Sequence, residues 1–342
     1  MPGTDPAEAM RVIAGELPDF PYLAELPDRG PGADLTGRTA ALLVDMSAEV
    51  TPRGWRLAER PGRDLARARS MLTSDLDVLE EVVEGYEGPL KIQLCGPWTL
   101  AATLELTRTM NMALSDPGAV ADLTASLAEG AAAFAADVAK RVPGGKLVVQ
   151  LDEPALPSVV EGLVPTQSGL SRLAAIEADT VQDRLSQVLR ATPGYTVVHS
   201  CGNAVPFGII RLAGADAISF DLSQLRRGEE DGVAEAAEAG MGVFTGAIPA
   251  VRVPAAAAAG PVRAGGINPA DGSDEARQTA ERVMRLWRRL GLPLETLPGQ
   301  AVITPACGLA GSSPAQARAT LMRCREAASM LPELIEETGG ES

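Results

Sequence analysis

The stretch Tyr195-Thr-Val-Val-His199-Ser-Cys201-Gly202 decides how the chain is read. Tyr195 to Val198 is a β-branched and aromatic run, which predicts a buried strand. It runs straight into the only histidine of the chain and one of its four cysteines. Alternate residues of an extended chain point the same way, so His199 and Cys201 can face one point in space. An imidazole and a thiolate facing one point suit zinc, although a core histidine beside a buried cysteine gives the same letters.

The same unit recurs on both sides. Thr39–Met46, Leu90–Cys95, Lys146–Leu151, Ala217–Phe220, Gly242–Gly246 and Ala301–Thr304 read as strands. Between them lie helical patterns at 64–84, 117–142, 176–191, 205–213, 233–239, 274–290 and 314–330, after a first helix near 5–16 that Thr4 would cap. Strands alternating with helices imply a parallel sheet covered by helices. Seven such units and a fragment at the start point to one domain over residues 1–342, a single (β/α)₈ TIM barrel. A doubly wound open sheet is the alternative, and no Gly-x-Gly-x-x-Gly follows an early strand to support it.

Composition narrows the function classes. The 342 residues are 46% hydrophobic and only 3% aromatic. A net charge of -15 argues against nucleic acid and anionic membrane surfaces as partners. Four irregularly spaced cysteines make no disulfide framework. No signal peptide and no run long enough for a bilayer are read, so a cytoplasmic protein is expected.

Barrel sites are built where strand C-termini converge. His199 and Cys201 end one strand, Asp221 ends the next, and Cys307 follows the last. One nitrogen, two sulfurs and one oxygen make a zinc set, whereas magnesium and calcium prefer oxygen shells. Cys95 also ends a strand and competes as a sulfur ligand. Cys324 sits in a helical pattern and reads as core. Asp221 could equally cap a helix, and Cys307 could be a small buried hydrophobe.

These residues resemble a known family. His199-Ser-Cys201, the acid of Ile218-Ser-Phe-Asp221 and Pro305-Ala-Cys307-Gly-Leu309 are similar to the zinc ligands in the catalytic domain of cobalamin-independent methionine synthases. Gln150-Leu-Asp152-Glu-Pro-Ala-Leu156 resembles the Gln-Ile-Asp-Glu-Pro-Ala-Leu motif of that domain, and Gly96-Pro97-Trp98-Thr99 its Gly-Pro turn. The resemblance implies a barrel of the uroporphyrinogen decarboxylase-like kind, a zinc cofactor and methyl transfer to homocysteine. By the same resemblance Asp152 would hold the substrate ammonium, and Asp45 is assigned substrate contact as the one strand-end acid where the family has His-Gly-Glu. Glu153 is expected to be structural or to support a ligand.

The chain also departs from the pattern. Asp221 replaces a longer Glu. The first-strand Ile-Gly-Ser-Phe-Pro element is reduced to Met1-Pro2-Gly3-Thr4, so a start upstream of Met1 is expected. Thr245-Gly-Ala-Ile stands where the family has Asp-Ile-His. The folate-binding half of the long enzymes is not in this sequence, which leaves a methylcobamide or corrinoid carrier protein as the implied donor. Alkyl transfer to another small thiol such as coenzyme M, and a non-catalytic zinc- or thiol-binding barrel, are the alternatives.

Overall fold

The computed structural model describes residues 1–250 and 269–339. Six parallel strands form its centre: β3 (Pro89–Cys95), β4 (Lys146–Asp152), β5 (Tyr195–Ser200), β6 (Ala217–Asp221), β7 (Gly242–Ile248) and β8 (Ala301–Pro305). They are hydrogen-bonded in chain order, and the sheet curls into a half-barrel. Next to β3, Pro21 to Leu23 adds a short parallel contact: Leu23 N–H donates to Lys91 O at 2.9 Å and Lys91 N–H to Pro21 O at 3.0 Å. A closed eight-stranded barrel, the expectation above, is not formed among the described residues.

The missing strands have local causes. Thr39–Met46 was expected to be extended, but α2 (Leu35–Ala40) takes its first part. Asp34 caps this helix, accepting from Gly37 N–H at 2.9 Å. Short apolar runs fit a buried helix as well as a strand. The chain then forms an antiparallel hairpin outside the sheet, β1 (Ser47–Thr51) and β2 (Gly54–Ala58). Likewise Asp5, and not Thr4, caps α1 (Pro6–Glu16), accepting from Ala7 N–H and Glu8 N–H.

Helices cover the outer face. They include α3 (Arg63–Val82), α4 (Pro97–Thr103), α5 (Pro117–Arg141), α6 (Leu156–Val160), α7 (Ala178–Ala191), α8 (Phe207–Leu212), α9 (Glu230–Glu238), α10 (Pro269–Arg289), α11 (Leu297–Gln300) and α12 (Pro314–Gly339). The loop read at 255–272 lies largely outside the described residues. Of the described helices, α5 is long and apolar enough to cross a membrane, which corrects the reading that no run is. More than half of its apolar window is buried, and it packs on α4 and α7 as a core helix.

The space inside the half-barrel is graded. At the N-terminal end of the strands Val148, Val197, Ala217 and Phe244 form an apolar floor that Phe20 and Val302 complete. Phe20 meets Phe244 edge to face, with centroids 6.1 Å apart. Above this floor the inward residues turn polar. On the open side α1 and α12 pack together, and Arg318 pairs with Glu16 at 2.6 Å.

Candidate metal centre

The cleft above the floor has a volume of about 330 Å³ and is lined by Lys91, Gln93, Gln150, Asp152, His199, Cys201, Ser219 and Cys307, among others. Register explains the grouping. Cys95, Asp152, His199 and Ser219 follow one another across β3 to β6 as directly paired residues. Asp152, His199 and Ser219 therefore stand in one row at the C-terminal ends of their strands, where the polar backbone of the loops begins.

His199, Cys201 and Cys307 bring their ligand atoms within 4.8 Å of one another. The two sulfurs are 3.5 Å apart. His199 Nδ1 is hydrogen-bonded to Ser219 Oγ at 2.9 Å, which fixes the ring and leaves Nε2 to face the sulfurs. Tetrahedral zinc with bonds of roughly 2.0–2.3 Å holds its donors about 3.3–3.8 Å apart. One imidazole nitrogen and two thiols at these spacings fit zinc with small side-chain shifts, and three protein donors leave a fourth position for substrate.

The electrostatics suit a metal thiolate. The hydrogen bond from Cys201 and contact with His199 pull the Cys307 thiol down to about 4. Sharing that hydrogen bond, together with burial, pushes the Cys201 thiol up. One thiolate and one thiol thus share a proton in the metal-free protein.

Asp221 stands apart from the three. Its Oδ1 accepts from Ser223 N–H at 2.8 Å and from Ser223 Oγ at 2.7 Å, a local turn that satisfies the short carboxylate. Asp45 is not at the cleft. It is exposed in the turn between α2 and β1, at a left-handed φ of 55°, and that turn packs on α5 through Ser126 Oγ to Val44 O. Asp45, expected to contact substrate, is thus placed outside the cleft lining, because the chain that was to carry it inward as a strand end is a helix and turn instead.

Asp152 does line the cleft and is buried. Its Oδ1 accepts from Gln150 Nε2 at 2.7 Å. Burial raises its carboxyl to about 6, with His199 and Lys91 opposing. Glu153 points the other way. It is fully buried and its carboxylate accepts from Trp98 N–H at 2.9 Å and Thr99 N–H at 2.7 Å, holding the start of α4. Gly96 is required there, because a Cβ would come within 2.4 Å of Glu153 Oε1. Cys95 and Cys324 are buried and are not part of the three-donor group, although Cys324 borders the cleft, and burial raises both thiols.

Sequence reasoning missed Ser219, Lys91 and Gln93. A signal was present: Lys91 and Gln93 alternate with Leu90, Ile92 and Leu94, which places two polar side chains on the inner face of an otherwise apolar strand.

No family model matches the chain, and no curated protein matches it to a significant degree. Among solved structures it is similar to a B12-independent methionine synthase from Shewanella sp. W3-18-1, determined in complex with selenomethionine. The TM-score is 0.60 at 14% sequence identity, over 97% of this chain and 89% of that one. The chain thus shares, over nearly its whole length, the fold of that B12-independent methionine synthase.

Proposed function

We propose that this protein is a methyltransferase that passes a methyl group to the thiol of homocysteine, with zinc held by His199, Cys201 and Cys307. The observation that carries the reading is the meeting of these three donors in a cleft whose next inward side chain is the buried Asp152. The fold shared with a methionine synthase supports it.

When bound, zinc would stabilise the thiolate form of a thiol substrate, which is the nucleophilic form. The protein's own residues do the rest. Ser219 holds His199 Nδ1, so that Nε2 is presented as the ligand atom. Asp152 pairs with the substrate ammonium and fixes the sulfur relative to the donors. The substrate thiol loses its proton to solvent, its sulfur forms the new S–C bond, and the bond from the methyl carbon to the donor breaks. A methylcobamide, free or on a corrinoid carrier protein, is the donor we propose.

The test is metal quantification with methyl transfer. Wild type should hold about one zinc per chain and demethylate methylcobalamin only when homocysteine is added, and Cys307→Ser should lose most of both. A wild type with neither stoichiometric zinc nor thiol-dependent transfer would refute the proposal. A second reading, alkyl transfer to a sulfonate thiol such as coenzyme M, has one observation in its favour: Lys91 places a cation in the same cleft.

A further inference from the structure

The cleft wall carries an ionisable pair that the metal centre does not use. Lys91 lies on β3 and Asp152 on β4, and both side chains line the cavity. Gln93 and Gln150, direct register partners, lie between them along the two strands. Lys91 Nζ donates to Gln93 Oε1 at 3.1 Å, and Gln150 Nε2 donates to Asp152 Oδ1 at 2.7 Å. Each glutamine thus tethers one charged group, and the two tethered charges look into one space.

Lys91 makes no ion pair among the described residues. One hydrogen bond leaves two of its three donors free. Its ammonium lies 5.2 Å from the centre of the Tyr22 ring, a contact that favours the charged form. Of the other charged groups near it, Glu25 lies 3.3 Å from Arg38 although its Oε1 accepts no hydrogen bond, and the Met1 ammonium donates to Glu25 O at 2.6 Å. A half-buried, tethered ammonium with spare donors facing a cavity is a ready partner for an anion. Burial does lower its pKa, and the carboxylates of Asp152 and Glu25 oppose that.

An α-amino acid carries its ammonium and carboxylate on one carbon, so a site for both needs an anion and a cation on neighbouring walls. β3 and β4 supply that pair: Lys91 lies four residues before Cys95, the register partner of Asp152, and the hydrogen bonds to Gln93 and from Gln150 draw the two charged groups toward each other across the cleft wall. Resting on the function proposed above, we infer that Lys91 is the specificity residue that takes the carboxylate of the thiol substrate, so that with Asp152 the cleft selects a zwitterionic amino-acid thiol. A neutral or amine-only thiol leaves Lys91 unpaired, and a sulfonate thiol lacking an ammonium leaves Asp152 unpaired.

The test is titration calorimetry on the zinc-loaded full chain with homocysteine, 3-aminopropane-1-thiol, which lacks the carboxylate, and coenzyme M. Wild type should bind homocysteine roughly 10- to 100-fold more tightly than the carboxylate-free thiol, the span of one charge-assisted contact. Lys91→Met, close in volume, should erase that ratio while its zinc content stays unchanged. If Lys91→Met does not fold, Lys91→Gln is read in the same way. Equal binding of homocysteine by wild type and variant, or tighter binding of coenzyme M by wild type, overturns the inference and leaves the metal centre intact. Binding of no thiol by wild type overturns the methyl-transfer reading and the inference together.

Discussion

Cys201 and Cys307 are 106 residues apart in sequence and 3.5 Å apart at their sulfurs. Their shared hydrogen bond is the largest influence on both thiols, and it makes them unequal. In the metal-free protein Cys307 is expected to react with iodoacetamide well below pH 7, while Cys201 stays inert. Cys201→Ala removes that hydrogen bond, so Cys307 should then lose reactivity at pH 6. Alkylation across pH, read by peptide mass spectrometry, checks both statements.

Asp152 carries a stability cost. Its carboxyl ordinarily titrates at 3.8 and sits at about 6 in the fold, because it is buried. The folded state therefore holds the proton more tightly than the unfolded chain, and stability falls as pH rises from 3.8 through about 6. Asp152→Asn removes this loss and can keep the bond from Gln150. It should raise the melting temperature of the metal-free protein at pH 8, by on the order of 1–3 kcal/mol of stability, with the gain shrinking toward pH 4. Homocysteine binding should be lost in the same variant. Thermal melts at the two pH values, with a titration at pH 8, decide it.

Asp75 is the hub of a buried ionic cluster. It accepts two hydrogen bonds from Arg29, at 2.8 and 2.7 Å, and one from Arg38 at 2.6 Å. Asp75 and Arg38 are both almost fully buried. Asp75→Asn leaves Arg29 without its ion pair and Arg38 with Glu25 alone, and should cost about 3–5 kcal/mol by urea denaturation. The cluster braces α2 and α3 behind the segment that carries Glu25.

Gly96 tests the packing under the cleft. A methyl group there meets the Glu153 carboxylate, which cannot withdraw without releasing the Trp98 and Thr99 amides. Gly96→Ala should cost about 1–3 kcal/mol, with the zinc content of the folded fraction unchanged. Denaturant melts alongside metal analysis measure both.

Much of the fold was legible because β4 to β8 are short apolar runs with polar ends, as expected of parallel strands buried on both faces. Thr39–Met46 misled because an apolar run capped by Asp34 serves a helix equally well, and only the packing of Thr39 Oγ1 against Cys95 N–H resolves it. His199, Cys201 and Cys307 could be named from their places after strands. Asp221 could not be judged in that way, since whether a strand-end carboxylate turns inward depends on a neighbour such as Ser223 that offers it a local partner. Lys91 was overlooked because a lysine within a strand looks like a solvated edge until the curl of the sheet turns it inward.

One donor of the cluster comes from the middle of the chain and another from just beyond β8, close to its end. A nascent polypeptide can assemble β3 to β7 and still lack the second sulfur. A metal held by all three donors would tie the end of β5 to the end of β8, so its removal would be felt as lost stability in both strands at once.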